Sequence, residues 1–174
     1  DIFRALKYLD RPLLAEWYLF HRSRLIKFSD LHKGESCFII GNGPSLNKMD
    51  LSQLKDRYVF GLNKIHLLLD RIDLKLSYHV AVNSLVIEQC INEFNGLTCP
   101  SFLSFGAARH LTRATDHIYF LATDSYFQAP YSFYRDPLQP MTEGYTVTYV
   151  AMQLAFYMGF SRVFLIGVDH NFKT

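Results

Sequence analysis

Short apolar runs recur along most of this chain. Each closes in glycine, asparagine, aspartate or serine, and stretches with helical spacing separate them. Cys37–Ile40, Tyr58–Leu62, Leu76–Val82, Ser101–Ser104, Ile118–Leu121 and Val163–Gly167 have the length and the aliphatic and aromatic content of strands. The last of them reads as a buried strand. Between the strands, Asp50 is placed to cap a short helix over Leu51–Lys55, and Ile65–Asp70 reads as another. Ser84–Phe94 is amphipathic at helical spacing, while Tyr145–Met158 is apolar nearly all round and therefore reads as a buried helix. Strands alternating with helices predict an α/β fold with a Rossmann-like, mainly parallel sheet and helices on both faces. The pattern contains no internal repeat and no low-complexity tract.

Two stretches depart from this pattern. In residues 1–33, Arg4, Lys7, Arg11, Arg22, Arg24 and Lys27 alternate with Leu6, Leu9, Leu13, Trp17, Phe20 and Leu25, and Pro12 starts or breaks a helix. A basic amphipathic segment of this kind either lies on an anionic membrane surface, through residues 1–28, or packs on its own domain or a partner chain. The expected division is thus a helical segment over 1–33 and a nucleotide-binding domain over 34–174. In residues 122–144, Tyr126, Phe127, Tyr131, Phe133 and Tyr134 crowd together ahead of Arg135, Pro137 and Pro140. A connection this long is usually functional or mobile, and its aromatics suit either stacking on a base or sugar or packing on one another. The chain stops at Thr174 without the helix expected after its last strand, so a C-terminal part of the fold is expected to be missing.

Composition narrows the class. A chain of 174 residues, 49% hydrophobic and 20% charged, can build one well-filled core and is not disordered. A formal net charge of +2 is too small to argue for nucleic acid. Cys37, Cys90 and Cys99 form no CxxC pair and suit reduced, buried thiols. No apolar run reaches the roughly 18–20 residues of a membrane helix, and the first residues do not form a secretory signal. The expectation is a cytoplasmic protein, peripheral to the inner membrane where residues 1–28 touch it.

The candidate chemistry lies at the strand ends. Phe38-Ile39-Ile40 runs into Gly41-Asn42-Gly43-Pro44-Ser45-Leu46, a turn whose glycines admit close approach of a phosphate to free amides at a helix start. It is no Walker A loop, because no Gly-Lys-Ser/Thr follows. Leu46 stands where a dinucleotide fingerprint has its third glycine, which disfavours a nicotinamide or flavin cofactor. Asn42, Asn63, Asn83 and Asp169 each follow a strand, and parallel strands deliver their ends to one edge. Asparagine offers donors and an acceptor without charge, which suits ribose hydroxyls, base edges or phosphate oxygens. A second anion site is suggested by Thr142-Glu143-Gly144-Tyr145-Thr146 at the start of the apolar helix, although Glu143 would repel a phosphate unless it turns away or holds a metal. Asp169 and His170 are candidates for catalysis: Asp169 as a metal ligand, an orienting group or an acceptor from a sugar hydroxyl, and His170 as a base. His66, His79 and His117 read as structural.

The motifs CFIIGNGPSL, FGLNKI, VAVN, EGYTVTYVAMQLAFYMGF and VFLIGVDHNF occur in this order. Over about residues 34–172 the chain resembles a bacterial and archaeal family of long-unknown function, which includes the flagellin-modifying motility accessory factors and the MptE-like archaeal 6-hydroxymethylpterin diphosphokinase. More distantly it is similar to the bacterial CMP-sialic acid-dependent sialyltransferases with a Gly-Asn-Gly-Pro-Ser loop. That likeness implies a Rossmann-like fold without a nicotinamide. It implies nucleotide phosphate or ribose contacts from Asn42 and Ser45, in the turn where Gly41 and Gly43 are read as admitting the ligand, donor contacts from Asn63 and Asn83, and base or phosphate contacts from Thr142, Gly144 and Thr146. The sialyltransferase arginine before this last segment has no counterpart here nearer than Arg135, and the histidine base and phosphate-binding tyrosines would fall beyond Thr174. The resemblance thus implies a glycosyltransferase-like protein that binds a nucleotide-activated sugar and holds no tight cofactor. The alternatives are a diphosphokinase using ATP with Mg, with Asp169 and Glu143 as ligands, and a non-catalytic membrane-surface domain. A homo-oligomer is compatible with each.

Overall fold

The computed structural model describes residues 6–8, 10–124 and 133–169. Helix α1 (Pro12–Phe20) opens on a proline, whose fixed φ suits a first turn, and leads into a 3-10 segment, Arg22–Phe28. Strand β1 (Ser36–Ile40) is followed by two 3-10 turns, Pro44–Lys48 and Leu51–Leu54; the Asp50 side chain accepts from Ser52 N at the start of the second. Next come β2 (Tyr58–Leu62), α2 (His66–Leu69), β3 (Tyr78–Ala81), α3 (Ser84–Asn95), β4 (Ser101–Ser104), α4 (Phe105–Ala108) and β5 (Ile118–Leu121). The chain continues through β6 (Thr123–Asp124), β7 (Met141–Thr142), α5 (Val147–Tyr157) and β8 (Arg162–Ile166).

Six strands form one parallel sheet in the order β5-β4-β3-β2-β1-β8, and β6 and β7 form a small parallel pair. Register aligns Ile40 of β1 with Gly61 of β2 and with Ile166 of β8, so the carboxyl ends share one edge. Alternate residues enter different cores. Cys37 and Ile39 pack with Val150 and Leu154 of α5, whereas Ile40 packs with Leu46, Leu51, Leu54, Ile65 and Leu76. The Rossmann-like architecture is as the apolar pattern predicts.

Residues 12–28 belong to this same body. Trp17 is fully buried and its indole N–H donates to Phe120 O at 2.8 Å. Phe28 meets Phe102 and Tyr119 edge-on, with centroids 5.0 and 4.9 Å apart. Arg24 donates to Thr115 O and Ile118 O, and Lys27 donates to Tyr119 OH. Among the described residues, no helix is long and apolar enough to cross a membrane. All three cysteines are free and buried; burial raises the Cys37 thiol to about 12 and Cys99 to about 11.

Two expectations need correction. Strand β8 is not buried: Val163, Phe164 and Leu165 are 36, 44 and 45% exposed. It lies at the edge of the sheet, paired on one side with β1, and the Phe164 ring stacks on Phe38 at 5.0 Å. The stretch 122–144 is also not wholly irregular, because β6 and β7 pair across it. Its Phe133 packs edge-on against Tyr149 and Phe156 of α5, and Arg135 lies 5.5 Å from the Phe156 ring. Tyr126, Phe127 and Tyr131 lie outside the described residues.

Candidate functional site

The chain reverses its strand order between β1 and β8, and in open α/β sheets ligands bind outside the carboxyl ends at such a point. Here the turn after β1 is clasped onto the end of β8. Gly41 N donates to Ile166 O at 2.9 Å, Gly43 N to Gly167 O at 2.8 Å, and Ser45 N to the Asp169 carboxylate at 2.7 Å. A Cβ on Gly41 would stand 2.3 Å from Gly167 O, and one on Gly43 would stand 2.4 Å from Asp169 Oδ2. The glycines therefore serve a close approach of two chain segments. This corrects the reading of a loop with free amides: those of Gly41, Gly43 and Ser45 are donated within the protein. Pro44 opens a five-residue 3-10 turn, too short to act as an anion-binding helix start.

The strand-end asparagines divide between two hollows. Asn63 has the left-handed φ of +49° that asparagine tolerates better than most side chains. Its N–H donates to Val80 O at 2.9 Å. Its carbonyl lies 2.9 Å from Nε2 of His79, whose Nδ1 lies 2.7 Å from Ser101 Oγ. Burial pushes the His79 pKa down to about 4, so the ring is neutral. A neutral ring donates to the Asn63 carbonyl from Nε2 and accepts the Ser101 hydroxyl at Nδ1. The turn is thus held from beneath, while the Asn63 side-chain oxygen is buried without a hydrogen-bond partner.

Asn63 also lines a hollow of about 280 Å³ whose polar lining comes from Asn63, Asn83, Glu143, Tyr145 and Thr146. Asn83 caps α3, its Oδ1 accepting from Val86 N at 3.1 Å, which leaves its N–H2 end to offer a ligand. Thr146 caps α5, its Oγ1 accepting from Tyr149 N at 3.2 Å, so its hydroxyl can donate outward. Glu143 Oε1 accepts from Thr123 Oγ1 at 2.8 Å. Of the predicted second anion segment, Glu143 and Thr146 reach the hollow, but Thr142 and Gly144 do not line it. Thr142 is buried with its carbonyl accepting from Gln153, and Gly144 supplies a φ of +52° where a Cβ would meet the Tyr149 ring at 2.4 Å. A wall that carries Glu143 suits hydroxyls rather than phosphate.

Asn42 faces elsewhere. Its Nδ2 donates to Leu62 O at 2.9 Å, and it lines a second hollow of about 360 Å³ with Gly43, Asn47, Lys64 and Arg71. Sequence reasoning did not single out Lys64 or Arg71, although Lys64 directly follows Asn63. Asp169 is held at the clasp and Glu143 lines the first hollow, so the two carboxylates are placed at different features. No group of three or more His, Cys, Asp or Glu among the described residues is placed to hold a metal ion. His170 lies outside the described residues.

A family model described as "6-hydroxymethylpterin diphosphokinase MptE-like" matches residues 16–174. No curated protein matches the chain. Among solved structures, the MAf glycosyltransferase from Magnetospirillum magneticum AMB-1 superposes over 84% of this chain with a TM-score of 0.58 and 18% identity. This chain spans 25% of that protein's length. At such identity the likeness is one of fold.

Proposed function

This chain belongs to the MptE-like family, and from that premise we propose that it is the nucleotide-binding part of a transferase whose donor is a nucleotide-activated sugar, such as a CMP-linked nonulosonic acid. The observation that carries this reading is the hollow lined by Asn63, Asn83, Glu143 and Thr146, with one of its residues, Asn63, holding a buried Oδ1 that has no hydrogen-bond partner. A buried acceptor without a partner costs about 1–3 kcal/mol, which a ligand hydroxyl or N–H would recover once the Asn63 amide turns toward the hollow. Around it stand the N–H2 of Asn83, the hydroxyl of Thr146 and the carboxylate of Glu143. Acceptors and donors so mixed suit the vicinal hydroxyls of a ribose or sugar, and a carboxylate beside the diol is the usual partner of a ribose hydroxyl in such folds. None of these groups is assigned the role of catalytic base. The reduced, buried cysteines suit the cytoplasm, where we place the protein.

Titration calorimetry with CMP, UDP and ATP tests the reading. Saturable binding of at least one is expected, weakened about tenfold by Asn63→Ala and by Asn83→Ala. Absence of saturable binding to all three overturns it. The family's description favours a second reading, a diphosphokinase acting on a pterin alcohol with ATP and magnesium. The carboxylates do not fit a shared magnesium site as placed, since Asp169 holds Ser45 N and Glu143 holds Thr123. ATP binding that requires magnesium would favour this reading; binding indifferent to magnesium would count against it.

A further inference from the structure

We propose that the hollow lined by Asn42, Asn47, Lys64 and Arg71 is an anion subsite that takes the phosphate or diphosphate of the donor whose sugar hydroxyls meet Asn63. The proposal rests on the nucleotide reading above and adds to it a place for the charge. The left-handed turn at Asn63 is what separates the two groups: Asn63 lines one hollow and the next residue, Lys64, lines the other. One ligand can therefore lie across this turn, with hydroxyls on one side and phosphate on the other.

The electrostatics of the two hollows differ in the way such a ligand needs. Among the described residues, the Asn63 hollow holds the Glu143 carboxylate and no lysine or arginine. Among the described residues, the Lys64 hollow holds two cations and no carboxylate. Lys64 Nζ is steadied by Gln89 Oε1 at 2.8 Å, a neutral partner that leaves its charge uncompensated. Arg71 follows seven residues later. Backbone bonds from Leu67 N to Lys64 O and from Arg71 N to Leu68 O continue the coil between them, which returns both side chains to one hollow. Arg71 also lines the neighbouring cavity of about 520 Å³, where the carboxylates have other partners: Asp50 accepts from Ser52 N and Gln53 Nε2, and Asp73 pairs with Lys55 at 3.6 Å. The walls from Pro44, Leu46, Leu67 and Leu68 are apolar, so a phosphate there would make its charge-assisted bonds to Lys64 and Arg71.

The test uses inorganic pyrophosphate and, separately, nucleosides. Wild-type protein should bind pyrophosphate with an affinity that falls as salt rises. The Lys64→Gln/Arg71→Gln variant should bind it about tenfold more weakly or worse, with an unchanged melting temperature. Lys33→Gln, which removes one exposed charge just before β1, should leave the affinity within about twofold. Failure of the wild type to bind pyrophosphate, or equal binding by wild type and double variant, overturns the anion subsite. Cytidine, uridine and adenosine address the other hollow. Binding of one of them that ignores the double substitution, while its diphosphate loses its advantage, supports the ligand lying across Asn63. If pyrophosphate behaves as expected but no nucleoside or nucleotide binds, the nucleotide reading falls and the anion site stands.

Discussion

At the scale of single residues, Asn63 joins the fold to the proposed site, and the two roles can be separated. Its φ of +49° is one that glycine adopts freely and alanine adopts at a cost of about 1 kcal/mol. Asn63→Gly should therefore leave the melting temperature near that of the wild type while removing the unpartnered acceptor and weakening nucleotide binding. Asn63→Ala should lose both stability and binding. Equal nucleotide affinity in wild type and Asn63→Gly would remove Asn63 from the site. Beneath it, His79 makes stability depend on pH. Burial lowers its pKa from 6.5 to about 4, so between these values the unfolded chain binds a proton that the folded chain refuses. Its stabilising contribution is complete above pH 6.5 and is lost as pH falls toward 4, by on the order of 3 kcal/mol. Burial lowers His21 and His32 too, with the same sign. Denaturant melts at pH 7 and pH 4.5 should show the loss, and His79→Gln should shrink it; an unchanged pH slope in that variant would assign the effect elsewhere. Asn63 and Asn83 were legible as strand-end asparagines. That Asn42 turns to a different hollow was not, because it depends on the Nδ2 bond to Leu62 O across two strands.

At the scale of elements, the apolar runs located the six strands of the main sheet to within a residue or two at most ends. They did not reveal which strand lies beside β1. That order decides the meaning of Gly41-Asn42-Gly43: with β8 alongside, the amides bond to Ile166, Gly167 and Asp169. The buried helix starts at Val147, not Tyr145, because Gly144 and Tyr145 both have left-handed φ. The two-residue strands β6 and β7 are too short for any period to show. The clasp makes a prediction about glycine. In Gly41→Ala the new methyl would stand 2.3 Å from a carbonyl oxygen of the backbone, which cannot swing aside as a side chain can. A cost of about 3 kcal/mol is expected in chemical denaturation. In Gly43→Ala the methyl meets the Asp169 carboxylate at 2.4 Å and Gly167 O at 2.7 Å, so adding Asp169→Ala should relieve only part of the damage. Full relief would mean that Gly167 moves and that the turn is not clasped as described.

At the scale of the whole molecule, the question is whether residues 12–28 are an arm or a wall. The sequence left both open, because alternating Arg/Lys and Leu/Phe suit a lipid surface as well as a domain or partner surface. The structure supplies the domain surface: Trp17, Leu25 and Phe28 are buried in the main core, and Arg22, Arg24 and Lys27 donate to Leu138 O, to Thr115 O and Ile118 O, and to Tyr119 OH. Trp17→Ala should therefore cost about 3–5 kcal/mol, as for any large aromatic removed from a core. Deleting residues 12–28 should abolish cooperative unfolding rather than release an independent domain, so such a deletion is no test of lipid binding. Any membrane contact by this segment falls to its outward face, where Phe20 is 67% and Ile26 51% exposed. Phe20→Ser with Ile26→Ser removes that face and leaves the buried one intact. The double variant should melt with the wild type. If the peripheral contact exists, cosedimentation with anionic vesicles should fall in this variant; vesicle binding equal in both proteins would leave residues 12–28 as a wall of the domain alone.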